Sequence, residues 1–212
     1  MKRFIFTALV LATAVAAALF VSLSGNSATA GKYAAGDWTG WSWHSGDTVS
    51  ATLLLPSVIS PSGTEGVAFW AGFGDGPGIE QTGFTANVVD GVLSYSNWYE
   101  EWPADPISYG GESYAGNTVV MTVTHLSTRC YELGIQNVTR GWSASVEDCT
   151  TYTTPEPAEV VAEDYGLTVP HFRNAVFTNL SGGTSGTYES FDQISNTSVS
   201  SISGSSFTIS HS

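Results

Sequence analysis

From Thr48 the chain alternates: Val49, Ala51, Leu53 and Leu55 are apolar, Ser50 and Thr52 between them are polar, and Pro56 ends the run. A period of two marks a strand with one face on a core, so a strand is predicted over 48–55. The same pattern predicts strands over 66–73, 79–89, 92–101, 118–126, 131–139, 142–147, 174–180 and 206–211. Glycines, prolines and Asp-Gly steps such as Asp75-Gly76 separate them. Asp90-Gly91, set between Val88-Val89 and Val92-Leu93, predicts a tight hairpin. Residues 118–148 read as a meander of three strands. No stretch of ten or more residues has helical spacing, and many short strands with frequent turns predict an all-β sandwich or barrel. Residues 181–205 are rich in Ser, Gly and Thr and read as loops and edge strands, because the apolar segment around Phe207 and Ile209 still follows.

Residues 1–30 break this alternation. Lys2 and Arg3 precede a run from Phe4 to Leu23 that is apolar apart from small Ala, Ser and Thr, and the polar stretch after it ends Ala28-Thr29-Ala30. That order predicts a secretory signal cleaved after Ala30, which leaves 31–212 as one domain. The run is close to the ~20 residues that cross a bilayer, so an uncleaved anchor is the alternative. With the leader removed, the chain is expected to be secreted, extracellular, monomeric and free of the membrane.

Charge narrows the partners. The chain has six Lys and Arg against 19 Asp and Glu, a formal charge of −13, and losing Lys2 and Arg3 makes it more negative still. Nucleic acid and anionic membranes are poor partners for that field. Few basic residues exist to pair with carboxylates, so protonating the acids costs little stability and tolerance of acid is expected. Cys130 and Cys149 make an even count in a secreted chain and predict a disulfide worth about 3 kcal/mol in the chain-entropy picture.

The common catalytic signatures are missing from the sequence. There is no GxSxG, no HExxH and no P-loop lysine, and GFGDGPG (72–78) lacks the strand-to-helix context of a dinucleotide fingerprint. His44, His125, His171 and His211 have no metal spacing, so neither metal nor cofactor is expected. Carboxylates hold the informative positions. In SNWYEEWP (96–103) alternation puts Trp98 and Glu100 on one face and Glu101 on the other. In PAEVVAEDYG (157–166) a short helix would set Glu159 and Glu163 one turn apart, but Pro155, Pro157 and Pro170 crowd it. A strand, with Glu159, Val161 and Glu163 on one face, suits the length. An acid beside apolar side chains in a cleft has a tuned pKa.

Taken in order, WAGFGDG (70–76), IEQTGF (79–84), NWYEEWP (97–103) and AEVVAEDYG (158–166) resemble the motifs of the eqolisins, the glutamic peptidases. GDWTGW (36–41), DTVSATLLLPS (47–57) and LTVPHFRNAVFTN (167–179) extend the resemblance over nearly the whole chain after the leader. It implies a sandwich of two large antiparallel sheets, of the concanavalin A-like or jelly-roll type, with a cleft on the concave face. It also implies an acid endopeptidase that acts on unfolded proteins or peptides. The family's catalytic glutamine falls on Gln81, in its Gln-Thr-Gly context, and the glutamate on Glu163, the second acid of Ala-Glu-x-x-x-Glu. Trp70 and Glu100 are implied to lie near the substrate cleft. The sequence departs from the family at GFGDG, with one residue more than the usual turn, and at Glu101, where an apolar or aromatic residue is common.

A glutamine suits such a dyad chemically. Where two aspartates share one proton, the neutral partner donates a hydrogen bond; a glutamine is permanently neutral and always a donor. Two rival readings remain open on the residues alone. A carbohydrate-binding or glycoside-hydrolysing sandwich would use the tryptophans as sugar platforms and, in its retaining form, hold Glu100 and Glu163 about 5 to 5.5 Å apart. A secreted binding module would depend on neither Gln81 nor Glu163.

Overall fold

The computed structural model describes residues 4–6, 38–43, 46–59, 61–74, 78–151, 157–181 and 189–212. The expected cleavage point, the Asp75-Gly76 turn and His44 lie outside them. The strands are β1 (Phe4–Phe6), β2 (Trp38–Trp43), β3 (Thr48–Leu54), β4 (Thr64–Phe73), β5 (Ile79–Val89), β6 (Val92–Trp102), β7 (Ile107–Ser108) and β8 (Thr118–Ser127). They continue with β9 (Cys130–Asn137), β10 (Trp142–Cys149), β11 (Ala158–Glu163), β12 (Phe172–Ser181), β13 (Glu189–Asp192), β14 (Thr197–Val199) and β15 (Phe207–His211). Among the described residues there is no helix.

Two antiparallel sheets form a sandwich. The eight-stranded sheet runs β1-β10-β9-β8-β3-β12-β15-β14 and the seven-stranded sheet runs β13-β2-β11-β4-β5-β6-β7. Alternation supplies the core between them: Val49, Ala51 and Leu53 of β3 and Val119, Met121 and Val123 of β8 meet Phe69, Ala71 and Phe73 of β4 and Phe84 of β5. Every strand predicted from the alternation is present with ends within about two residues, the usual uncertainty of strand ends. The Ala158–Glu163 segment is a strand, not a helix. The β8-β9-β10 meander carries a disulfide between Cys130 and Cys149, which face each other across β9 and β10.

Four strands of the domain went unpredicted. β2 (Trp38–Trp43) is buried at nearly every position, so its hydrophobicity does not alternate. β7, β13 and β14 are short edge strands with too few residues to show a period. β1 belongs to the segment read as a leader and pairs with β10 at the edge of the eight-stranded sheet.

The seven-stranded sheet is apolar on both faces. Away from the inter-sheet core, Trp38, Ala68, Trp70, Ile79, Trp98 and Val161 form a second buried cluster against which Trp102 packs. An aromatic cluster on the far face of a sheet signals something to cover or to bind.

Candidate active site

β5 lies between β4 and β6 in the interior of the seven-stranded sheet. Its alternation sends Phe84 and Ala86 into the core and turns Ile79, Gln81, Thr85 and Asn87 to the opposite face, where they line a cleft of about 400 Å³. Gln81 is 3% exposed and sits in register between Gly72 of β4 and Glu100 of β6. Its Nε2 donates to Glu100 Oε2 at 2.7 Å, and its Oε1 is buried with no partner among the described residues. Since an amide nitrogen carries two hydrogens, one N–H of Gln81 remains beyond the bond to Glu100.

Glu163, the last residue of β11, is in register with Ala68 of β4 and Trp38 of β2. It therefore starts two rows along the sheet from Gln81. Trp70, in the row between, reaches Glu163: its Nε1 donates to Glu163 Oε2 at 2.8 Å. Trp70 is itself fully buried and packs edge-on against Trp38, with ring centroids 5.3 Å apart, so it meets the cleft through Glu163. Gly83 makes room for this arrangement. A Cβ there would stand 2.7 Å from Trp70 Cβ and 2.9 Å from the Trp98 ring, so only glycine lets both indoles lie across β5.

Gln81, Glu100 and Glu163 line one cleft. Glu159 shares their face, in the row of Gln81 across Gly72, but is buried and outside the cleft lining. Of the two acids in the Ala158–Glu163 strand, Glu163 is the one a ligand can meet. Burial pushes Glu100 up to about 8; the negative charge of Glu163 and, less strongly, of Asp105 adds to this, while the Gln81 hydrogen bond opposes it. Two carboxyls in one low-dielectric cleft cannot both ionise freely. On the core face of the same strands Glu80 is 1% exposed and stands opposite Glu101. Burial raises it to about 7, against a hydrogen bond from Thr150 and with help from Glu101.

Sequence reasoning missed the rest of the lining. Ile79, Trp102 and Pro106 form an apolar part; Thr85, Asn87, Ser96 and Tyr165 form a polar part. The signal for the β5 members existed, because Ile79, Thr85 and Asn87 continue the odd-numbered face of Gln81. Nothing in the sequence marks Pro106 or Tyr165, which arrive from loops. His125 and His211 belong to the other sheet and do not line the cleft.

Residues 28–211 match the model of the Peptidase A4 family. No curated protein sequence matches the chain. Among solved structures, scytalido-glutamic peptidase with a transition-state analogue inhibitor is similar at a TM-score of 0.70 and 24% identity, over 84% of this chain and 98% of that one. SCP-B, an eqolisin in complex with the tripeptide Ala-Ile-His, gives 0.67 and 24% identity over 84% and 98%. Aspergilloglutamic peptidase from Aspergillus niger gives 0.60 and 23% over 70% and 99%. These likenesses show a shared fold.

Proposed function

The chain belongs to the Peptidase A4 family, the eqolisins, and so to the glutamic-type peptidases, and from that premise we propose that it is a secreted acid endopeptidase working through Gln81 and Glu163. The observation that carries this reading is the pairing of each residue with its own holder in one cleft: Gln81 with Glu100, Glu163 with Trp70.

In this mechanism an extended peptide lies in the cleft; the similar structure of SCP-B is a complex with a tripeptide. Glu163, oriented by the Trp70 N–H, takes a proton from water as its oxygen attacks the scissile carbonyl carbon. The carbonyl π-electrons move to oxygen, and the remaining Gln81 N–H donates to that oxyanion. Glu163 then returns the proton to the leaving amine as the C–N bond breaks. Glu100, which keeps its proton up to about pH 8, still accepts from Gln81 but adds no negative charge beside the oxyanion. The leader sequence and the Cys130–Cys149 disulfide support export to an oxidising compartment. Unfolded proteins and peptides are the substrates.

The carbohydrate reading is less well supported. Trp38 and Trp98 are only 6% and 8% exposed, which leaves little open ring face for a sugar to stack on.

Hydrolysis of an unfolded protein between pH 2 and 7, with pepstatin present, tests the proposal. Wild type is expected to be active at the acid end. Gln81→Ala should lose about 10²–10³ in kcat for the missing oxyanion donor, and Glu163→Gln about 10²–10⁴ for the missing base. Full activity in either variant would move the site elsewhere.

A further inference from the structure

The row of β5 and β6 next to Gln81 and Glu100 holds Glu80 opposite Glu101. Because side chains alternate along a strand, the Gln81–Glu100 pair points into the cleft and the Glu80–Glu101 pair points between the two sheets. The same segments of β5 and β6 thus carry an amide and a carboxyl on one face and two carboxyls on the other. Glu101 is also a place where the sequence departs from the eqolisin motifs.

The corner that receives these two acids is closed by both sheets. Glu80 is 1% exposed; it accepts from Thr150, and its Oε1 has no partner among the described residues. Thr150 is itself fixed, since its N–H donates to the carbonyl of the exposed Arg129 at 2.8 Å. Tyr131 of β9, fully buried, packs on Phe73 of β4 with ring centroids 6.3 Å apart and on His125 of β8 at 5.1 Å. Burial, helped by the charge of Glu80, pushes the Tyr131 phenol up, so it stays an uncharged hydroxyl. Asp148 of β10 stands in register with Tyr131, Tyr99 of β6 lies two residues before Glu101, and His125 is 3.6 Å from Asp47.

A carboxyl pair in such a corner is tolerated while it holds a proton, because the neutral acid is a donor and its partner an acceptor. With both ionised, two like charges stand directly opposite each other across the strands, which is destabilising. Burial raises Glu80 to about 7 against the Thr150 hydrogen bond and with help from Glu101, whereas Glu100 is held up to about 8, so Glu80 gives way first as pH rises.

We propose that Glu80 and Glu101 are a positioning pair for Gln81: while at least one of them is protonated the rungs between β5 and β6 stay closed and Gln81 keeps its aim, and when both ionise the rungs spread and the aim is lost. The inference rests on the peptidase reading and adds what sets the upper pH limit of that activity. Neither acid touches substrate; both act through the strand that carries Gln81.

The test measures kcat and KM for one peptide from pH 3 to 8 in wild type, Glu80→Gln and Glu101→Gln, at a temperature where tryptophan fluorescence shows each folded at every pH. Wild-type kcat is expected to fall as pH passes about 7. In Glu80→Gln, whose pair never holds two charges, the fall should move to about pH 8, where Glu100 ionises. Its kcat at pH 8 relative to pH 4 should then exceed the wild-type ratio about tenfold, the factor that one pH unit gives. Glu101→Gln also prevents a double charge but leaves Glu80 to ionise in its buried site, and should give a smaller gain in the same direction. KM should stay level in both. A loss of packing alone would lower kcat at every pH without moving the fall. Profiles with the wild-type fall in the folded variants, or a change confined to KM, would overturn the proposal; if one variant does not fold, the other decides. A folded wild type that cuts nothing at any pH would instead overturn the peptidase reading, and this inference with it.

Discussion

Gln81 and Glu100 stand side by side on β5 and β6, and the bond between them works in only one direction. Gln81 Nε2 donates and Glu100 Oε2 accepts. A carboxyl held up to about 8 by burial is neutral in acid, so its amide isostere reproduces its charge as well as its acceptor. Glu100→Gln is therefore expected to keep activity at pH 4 within a few-fold of wild type. Glu100→Leu, which removes the acceptor and frees the Gln81 side chain to rotate, should lose about tenfold or more, a loss of the size that misplacing a reacting group produces. Assays of both variants with one peptide check this; equal activity in the two would show that Glu100 does not orient Gln81. At this scale short motifs pointed to Gln81, Glu100 and Glu163, which line one cleft, and to Trp70, which meets it through Glu163. They did not point to Tyr165 and Asn87, because each is ordinary in its own segment and gains meaning only where β11 and β5 run close together.

Strands are where the alternation was most informative. β3, β5, β6 and β8 were read with nearly their observed ends because each has one face in the core and a period of two. β2 escaped that logic because both of its faces are buried. The β9-β10 hairpin carries the element-scale prediction. Cys130 and Cys149 face each other, 19 residues apart in sequence, and the bond restricts the unfolded chain. Replacing both with serine is expected to cost about 3 kcal/mol, seen as a lower urea midpoint with an m-value that rises because the freed unfolded chain exposes more surface. The hairpin lies in the sheet opposite the cleft, so kcat/KM measured where the variant is folded should stay near wild type. A large fall in kcat/KM at that temperature would mean that the two sheets are coupled through this end.

For the whole molecule, buried acids decide how stability follows pH. Glu80 and Glu100 are raised from 4.5 to about 7 and about 8, so the folded protein holds protons that the unfolded chain releases. Their stabilisation is fully present below about pH 4.5 and is lost as pH rises through 7 and 8. Each retained proton gives a slope of about 1.4 kcal/mol per pH unit. Tm is expected to fall steadily from pH 5 to 8, and Glu80→Gln, which stays neutral beside Glu101 and can accept from Thr150, should make that fall shallower. An identical pH dependence in the variant would remove Glu80 from the account. A protein built this way is expected to be most stable in acid, in line with its scarcity of basic residues.

The all-β class, the strands with one buried face and the disulfide partners were determined by the sequence itself, and its motifs pointed to the residues proposed here as the dyad. These are local properties: a period of two, an even cysteine count and short ordered motifs are all readable along the chain. Tertiary structure alone decided which strands lie beside one another. Only strand order brings Glu163 of β11 and Gln81 of β5 to opposite sides of β4, where the Trp70 indole can reach Glu163. The same packing raises Glu100, because desolvation and a neighbouring charge depend on what closes around a residue, not on what precedes it in the chain.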